Sequence, residues 1–377
     1  MKSSVRLAAI GGIATVAMAS LTGTSLAATQ RDAGPQPGQV FVQTDAVTGN
    51  AIAVYDRTAD GTLSPAGSYA TGGLGGVLGG SVVDHLASQG SLAYDSGRGL
   101  LYAVNAGSNT ITVFSVSGDG LTRRQIISSG GTFPVSIAVR GSLLYVLNAR
   151  DGGSVQGFLR VGATLVKVPA WHRDLGLNTT LTPEFTTTPG QVAFTPDGSK
   201  LVVTTKNNGD DIDVFTVGPL GGLSATPVVN ADPGNLPFGV SFDAAGHLAV
   251  AEAGDNAVAT FTVRPDGTLS LVSRAATGQA ATCWIVADGS ALYASNAGSG
   301  TLSGYSDAGD ALQSLGTAGT DAGTVDAAVT PGGQYLYARA GAQGIVDEYH
   351  VSPGGSLTEI GSVTVPGAAG GEGIAAS

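Results

Sequence analysis

Residues 92–121, LAYDSGRGLLYAVNAGSNTITVFSVSGDGL, contain the unit on which the whole chain is built. A short apolar run ends in a glycine turn, and a Leu-Tyr-x-x-Asn segment follows at Leu101 to Asn105. After a second glycine turn, Ile111-Thr112-Val113-Phe114-Ser115-Val116 alternates, which puts apolar side chains on the packed faces of a strand. Asp119-Gly120 then supplies a tight hairpin into a fourth strand. The unit therefore predicts a four-stranded antiparallel sheet.

Working outward, the Leu-Tyr position recurs at Val40-Phe41, Leu144-Tyr145, Leu201-Val202, Leu248-Ala249, Leu292-Tyr293 and Leu336-Tyr337, which makes seven copies. From Leu101 onward the spacings are 43, 57, 47, 44 and 44 residues, the period of four strands joined by short loops. The first copy lacks a leading strand: 38–45, 51–57 and 63–70 match second, third and fourth strands. The missing strand lies at the other end, where Gly373-Ile374-Ala375-Ala376 resembles the first strands Ser136-Ile137-Ala138-Val139 and Gln191-Val192-Ala193-Phe194. The expected fold is all-β, a seven-bladed β-propeller of four-stranded antiparallel blades, closed by the C-terminal strand completing blade one. Such closure removes open sheet edges.

Composition agrees. The 377 residues include 59 glycines but only 10 Phe, 10 Tyr and 2 Trp, a balance suited to many short strands and tight turns. A net charge of −11, with no Lys/Arg cluster, argues against nucleic acid and anionic membrane as partners. Residues 1–28 read as an export signal: Lys2 and Arg6, an apolar run from Leu7 to about Ala19, and the small-residue pattern Ser25-Leu26-Ala27. Residues 29–38 read as a flexible leader and 39–377 as the propeller, so a secreted, extracellular monomer without a membrane span is expected. Cys283 is the sole cysteine, so no intramolecular disulfide can form.

Strand alternation puts the loops after fourth strands and those between second and third strands on one face. Two insertions fall there, 72–89 and roughly 168–188, and loops on a rigid scaffold are where function concentrates. The mouth of the central channel on that face is thus the expected pocket. Second strands end there at Thr44, Asn105, Asn148, Thr205, Glu252, Asn296 and Ala340; the asparagines suit Asx turns. Glu252 is the only carboxylate in this ring, and Lys206 stands where four other copies have Ala. A carboxylate that activates water and a cation that stabilises an oxyanion form a minimal hydrolytic pair, though two salt-bridged or solvated side chains fit the same letters.

First strands open with Phe133, Gln191, Phe238, Trp284 and Asp326, a largely apolar and aromatic set. It suits stacking on a flat ligand, and equally a plugged structural channel. Asp326 is a second candidate base, and His172, in the second insertion, is the best-placed histidine for general-base work. His85 shares a loop position; His247 and His350 read as structural or solvent-facing. Cys283 has no histidine beside it and reads as an inert buried thiol. Asn207 to Asp213 has oxygen ligands but lies at a hairpin and lacks EF-hand spacing, and no phosphate or dinucleotide loop is present. No metal and no cofactor is expected.

The repeated Pro-x-x-Ala, Leu-Tyr-Val-x-Asn-x-Gly-x-Asn-x-Ile-x-Val-Phe and Asp-Gly-x-Leu pattern, clearest at 92–121 and 192–223, resembles the lactonase-family β-propellers. These include propeller-type 6-phosphogluconolactonases and 3-carboxymuconate cyclase-like proteins. The resemblance covers the mature chain and implies lactone hydrolysis. The family's Pro-Arg-His-x-x-Phe-His-Pro stretch is replaced by Pro189 to Pro196 without the Arg or either His, and its Asp-Ile-His by Asp326-Ala327-Ala328. Two functions are therefore expected alternatives. One is binding of a carbohydrate or protein partner at the loop-bearing face. The other is extracellular hydrolysis of an uncharged lactone by Glu252 or His172 with Lys206.

Overall fold

The computed structural model describes Met1, residues 38–307 and residues 311–377. The expected signal and leader lie outside the described residues, apart from Met1 and Gly38. The chain divides into a unit of Met1–Gly34 and one of Pro35–Ser377, and the second holds every strand described. Among the described residues no helix is long and apolar enough to cross a membrane.

Seven four-stranded antiparallel sheets follow one another along the chain. Blade 1 combines Gly38–Gln43, Ala51–Arg57 and Leu63–Ala70 with the C-terminal strand Ile374–Ala376. Blades 2 to 7 span 92–128, 134–174, 192–231, 237–276, 282–319 and 324–364. Closure has the register expected of a shared blade: Val42 faces Ile374, Phe41 faces Ala375 and Val40 faces Ala376. Gln43 N–H donates to Gly373 O at 2.8 Å and Ser377 N–H to Gln39 O at 2.9 Å, extending the pairing beyond both ends of the strand.

The repeat letters are explained by contacts between blades. Tyr145, Tyr293 and Tyr337, three of the four tyrosines of the Leu-Tyr signature, are fully buried. Their hydroxyls donate to Gly221, Gly355 and Gly61, each in the outer hairpin of the following blade. Gly61 has φ +91°, and a Cβ there would lie 2.2 Å from the Tyr335 ring, so the hairpin needs glycine. Third-strand tyrosines reach the other way: Tyr305 donates to Ala276 O at 3.2 Å and Tyr55 to Thr364 O at 3.3 Å. The core is accordingly a ring of apolar wedges between neighbouring sheets, such as Val202, Val214, Val250 and Phe261 between blades 4 and 5.

One boundary differs from expectation. The fourth strand of blade 3 runs from Thr164 to Asp174, with His172 opposite Gln156, so the second insertion starts only at Leu175. His172 thus sits on an outer strand and does not overhang the channel. Its Nε2 lies 3.0 Å from Asp174 Oδ1.

Candidate functional site

The first insertion turns inward instead of framing an open mouth. Asp84 fixes the turn, its two carboxylate oxygens accepting the Leu86 and Ser88 N–H groups at 2.8 and 2.9 Å. Ala87 takes a left-handed conformation, φ 46°. The segment then bonds to inner strands around the ring. Ser88 Oγ donates to Val135 O of blade 3 at 3.0 Å, Trp284 Nε1 of blade 6 to Ser88 O at 2.6 Å, and His85 N–H to Gly370 O beside blade 1 at 2.8 Å. Gln89 reaches Ile285 in both directions, Nε2 to O at 2.8 Å and Oε1 from N–H at 3.0 Å. A Cβ at Gly239 of blade 5 would lie 2.2 Å from Gln89 Oε1, so the glycine makes room for this crossing. A segment bonded to blades on opposite sides of the ring must cross its axis. It seals the channel on the insertion face.

The expected aromatic lining lies beneath this plug. Phe133, Phe238 and Trp284 are buried, and Phe133 joins Leu78, Leu86 and Ala87 in one apolar cluster. The rings of Phe238 and Trp284 pack tilted, centroids 5.0 Å apart. Gln191 Oε1 accepts the Val240 N–H at 2.5 Å, bracing blade 4 against blade 5. These groups hold the plug and expose no face for stacking.

Lys206 is fully buried, and its ammonium donates to Ala87 O at 2.7 Å, Phe185 O at 2.6 Å and Thr188 Oγ1 at 3.0 Å. An ammonium has three N–H donors, and all three are engaged. Lys206 therefore ties the first insertion to the second, with Phe238 beneath it at 5.1 Å from the ring centroid. Burial pushes its pKa down to about 7. Glu252 is also buried but belongs to a different cluster, where Arg274 Nη2 lies 2.7 Å from its Oε1 and 3.2 Å from Asp232 Oδ1. Burial, then the Asp232 charge, raises Glu252 to about 7. The hydrolytic pair expected from the sequence thus has its two members bound to separate partners. The Asn105 and Asn296 amides bond across to Thr112 Oγ1 at 2.9 Å and Ser303 Oγ at 3.0 Å, so these ring positions are structural.

Asp326 belongs to a buried acidic group with Asp45, Asp84 and Glu372, contributed by blade 7, blade 1, the plug and the closing segment. Burial raises Asp84 and Asp326 to about 7 and Glu372 well above its ordinary range. Glu372 Oε1 accepts from Ser88 Oγ and Ser91 N–H, both at 3.1 Å. Arg339, fully buried, donates to the carbonyls of Ala368 and Gly371 at 2.9 and 2.7 Å while its charge faces Asp45, Glu372 and Asp326. No local motif marks Asp45, Asp84, Glu372 or Arg339 in the sequence. Cys283 is half-buried at the edge of this region, and burial pushes its thiol up to about 12.

A solvent-facing cavity on the insertion face lies instead between blade 3 and the second insertion. It has a volume of about 410 Å³ and is lined by Arg150, Asp151, Asn178, Thr179, Thr182 and Glu184, among others. Arg150 holds Glu184 through Nε–Oε1 at 2.6 Å and Nη2–Oε2 at 3.1 Å, and also donates to Val77 O at 3.2 Å. Glu184 Oε2 accepts the Gly79 N–H at 2.6 Å. One ion pair thereby joins both insertions and floors the cleft, leaving Thr179 and Thr182 exposed at its edge.

Seven four-stranded blades closed through a shared first sheet define the class of the protein, a seven-bladed β-propeller. A candidate 6-phosphogluconolactonase from Bacteroides uniformis is similar over 88% of this chain and 97% of its own, at 19% identity and TM-score 0.73. One from Bacteroides fragilis covers 90% and 97%, at 18% identity and TM-score 0.72. The periplasmic gluconolactonase of Pseudomonas aeruginosa covers 90% and 98%, at 18% identity and TM-score 0.70. At these identities the likeness is one of fold. No family model and no curated protein matches the sequence.

Proposed function

We propose that the protein is an exported propeller that binds a neutral carbohydrate in the rim cleft between blade 3 and the second insertion, without hydrolysing it. The observation that carries this reading is the plug: with residues 84–89 across the channel and Lys206 saturated, the cleft is where a ligand meets the insertion face. Its hydroxyl, amide and guanidinium groups over Leu177 and Leu181 match a polyhydroxylated ring that has polar edges and apolar faces. Export is supported by the charged, apolar and small-residue order of residues 1–28. The periplasmic location of the Pseudomonas protein is consistent with it.

Calorimetric titration with neutral mono- and oligosaccharides tests the reading, using wild type and Thr179→Trp, which fills the cleft from an exposed position. Saturable binding to wild type that is lost in Thr179→Trp is expected. No binding to any sugar, or equal binding to both proteins, contradicts it.

A second reading, hydrolysis of an uncharged lactone, is favoured by the buried acids Asp84, Asp326 and Glu372, whose carboxyls burial pushes well above the usual carboxylate range. It requires the plug to open. Turnover of glucono-δ-lactone that disappears in Asp326→Asn would favour it over binding alone.

A further inference from the structure

The face opposite the insertions carries a cluster that neither reading uses. Asp243 follows the inner strand Pro237–Phe242 of blade 5, and His247 ends the turn leading into the second strand. Asp307 follows the third strand of blade 6, Thr301–Ser306. One ligand atom from each of the three residues lies within 4.8 Å of the others. His247 Nδ1 is 2.9 Å from Asp243 Oδ2 and 3.7 Å from Asp307 Oδ2.

The Asp243–His247 pair alone has an ordinary explanation as a turn contact. Asp243 Oδ1 accepts the His247 N–H at 2.7 Å, and Gly246 N–H donates to Asp243 O at 3.1 Å. Asp307 is not explained that way. Its side chain is wholly buried, 0% exposed, and among the described residues neither carboxylate oxygen has a donor in hydrogen-bond geometry, its near neighbours being the Asp243 carboxylate and the His247 ring. A buried carboxylate without donors is costly, and a second one close by makes it more so unless positive charge lies between them. The scaffold nevertheless holds the two acids together. Ala244 N–H donates to Gly289 O at 2.9 Å and Asp307 N–H to Ser290 O at 2.6 Å, so a single turn of blade 6 positions both.

We propose that Asp243, His247 and Asp307 bind a first-row divalent cation, represented by Zn²⁺, that staples blade 5 to blade 6. Metal–ligand bonds of about 2.1 Å in a tetrahedron set neighbouring ligands about 3.4 Å apart. The observed separations of 2.9 and 3.7 Å bracket that value. The donor set is one imidazole nitrogen with two carboxylate oxygens, which suits zinc-like ions, whereas Ca²⁺ takes six to eight oxygens. His247, 25% exposed, forms the only solvent-facing wall of the three and leaves an approach for a water as fourth ligand.

The test uses tag-free full-length protein stripped with a chelator and titrated with Zn²⁺, and separately with Ca²⁺. One Zn²⁺ per chain is expected, with a raised melting midpoint. Asp307→Asn and His247→Gln should each weaken binding at least tenfold and abolish the thermal shift. X-ray absorption on the zinc-loaded wild type should show one imidazole and otherwise oxygen ligands, which decides the matter should either variant fail to fold. The proposal is overturned by absence of stoichiometric Zn²⁺ binding, by Ca²⁺ binding as tightly, by variants that bind as wild type does, or by an absorption spectrum without histidine.

Discussion

Replacing Lys206 by Met removes the ammonium while keeping a stem of similar length over Phe238. Ala87 O, Phe185 O and Thr188 Oγ1 then lose their donor inside the protein. Each buried acceptor left unpaired costs about 1–3 kcal/mol. Part is returned because burial already disfavours the charged amine, as its lowered pKa of about 7 shows. A net loss of about 3 kcal/mol follows. At an unfolding entropy of about 2.1 cal/mol/K per residue, the melting midpoint of a propeller this long falls by about 4 °C. Because Lys206 joins the two insertions, the effect should also be local. Limited proteolysis of Lys206→Met should give new cleavages within 72–91 and 175–191 before the blades are cut. A midpoint within about 1 °C of wild type, with an unchanged cleavage pattern, would refute the claim that this lysine clamps the plug.

Stability should decline from mildly acid to alkaline pH. Burial raises Asp84, Asp213, Asp326, Asp347, Glu252 and Glu348 to about 7, so the folded protein holds protons that the unfolded chain releases near pH 4. Their contribution is complete below about pH 4 and is lost as pH rises through 7. Lys206 acts with opposite sign, but only between about 7 and its ordinary 10.5. A melting midpoint higher at pH 8 than at pH 5 would contradict this assignment. Native Cys283, its thiol pushed up to about 12, should react with iodoacetamide at pH 8 at least tenfold more slowly than in the denatured chain; equal rates would place it in another environment. Deleting 374–377 removes the inner strand of blade 1 and bares the edge of Gly38–Gln43, so aggregation is expected on size-exclusion chromatography. A soluble deletion variant with unchanged circular dichroism would argue against closure by this strand.

The fold was legible because its determinants repeat. Tyr145, Tyr293 and Tyr337 and the glycines that receive their hydroxyls recur in three of the seven blades, and Gly373 to Ala376 resembles other first strands. The site was less so. Residues 72–91 have neither a strand nor a helix period, and Leu78, Leu86 and Ala87 are buried only because a channel exists to receive them. Pro169 and Trp171-His172-Arg173-Asp174 break the apolar alternation, so the sequence does not mark His172 as strand; the strand persists through pairing with Ser154, Val155 and Gln156. Asp45, Asp84 and Glu372 are far apart in sequence and carry no common motif, so only closure of the ring brings them together. Lys206 is legible in the sequence as a departure from the repeat, but its three acceptors lie on two insertions whose paths no local pattern encodes.

The position of residues 84–89 in the channel decides function, since an open channel would return Asp326, Glu372 and Cys283 to the reach of a substrate. Native-state hydrogen exchange of the Leu86 and Ser88 amides, both bonded to buried Asp84, measures this directly. Protection comparable to that of the inner strands Pro134–Arg140 and Thr282–Asp288 is predicted. Exchange of these two amides within seconds, while those strands stay protected, would show a plug that opens and would contradict the sealed channel.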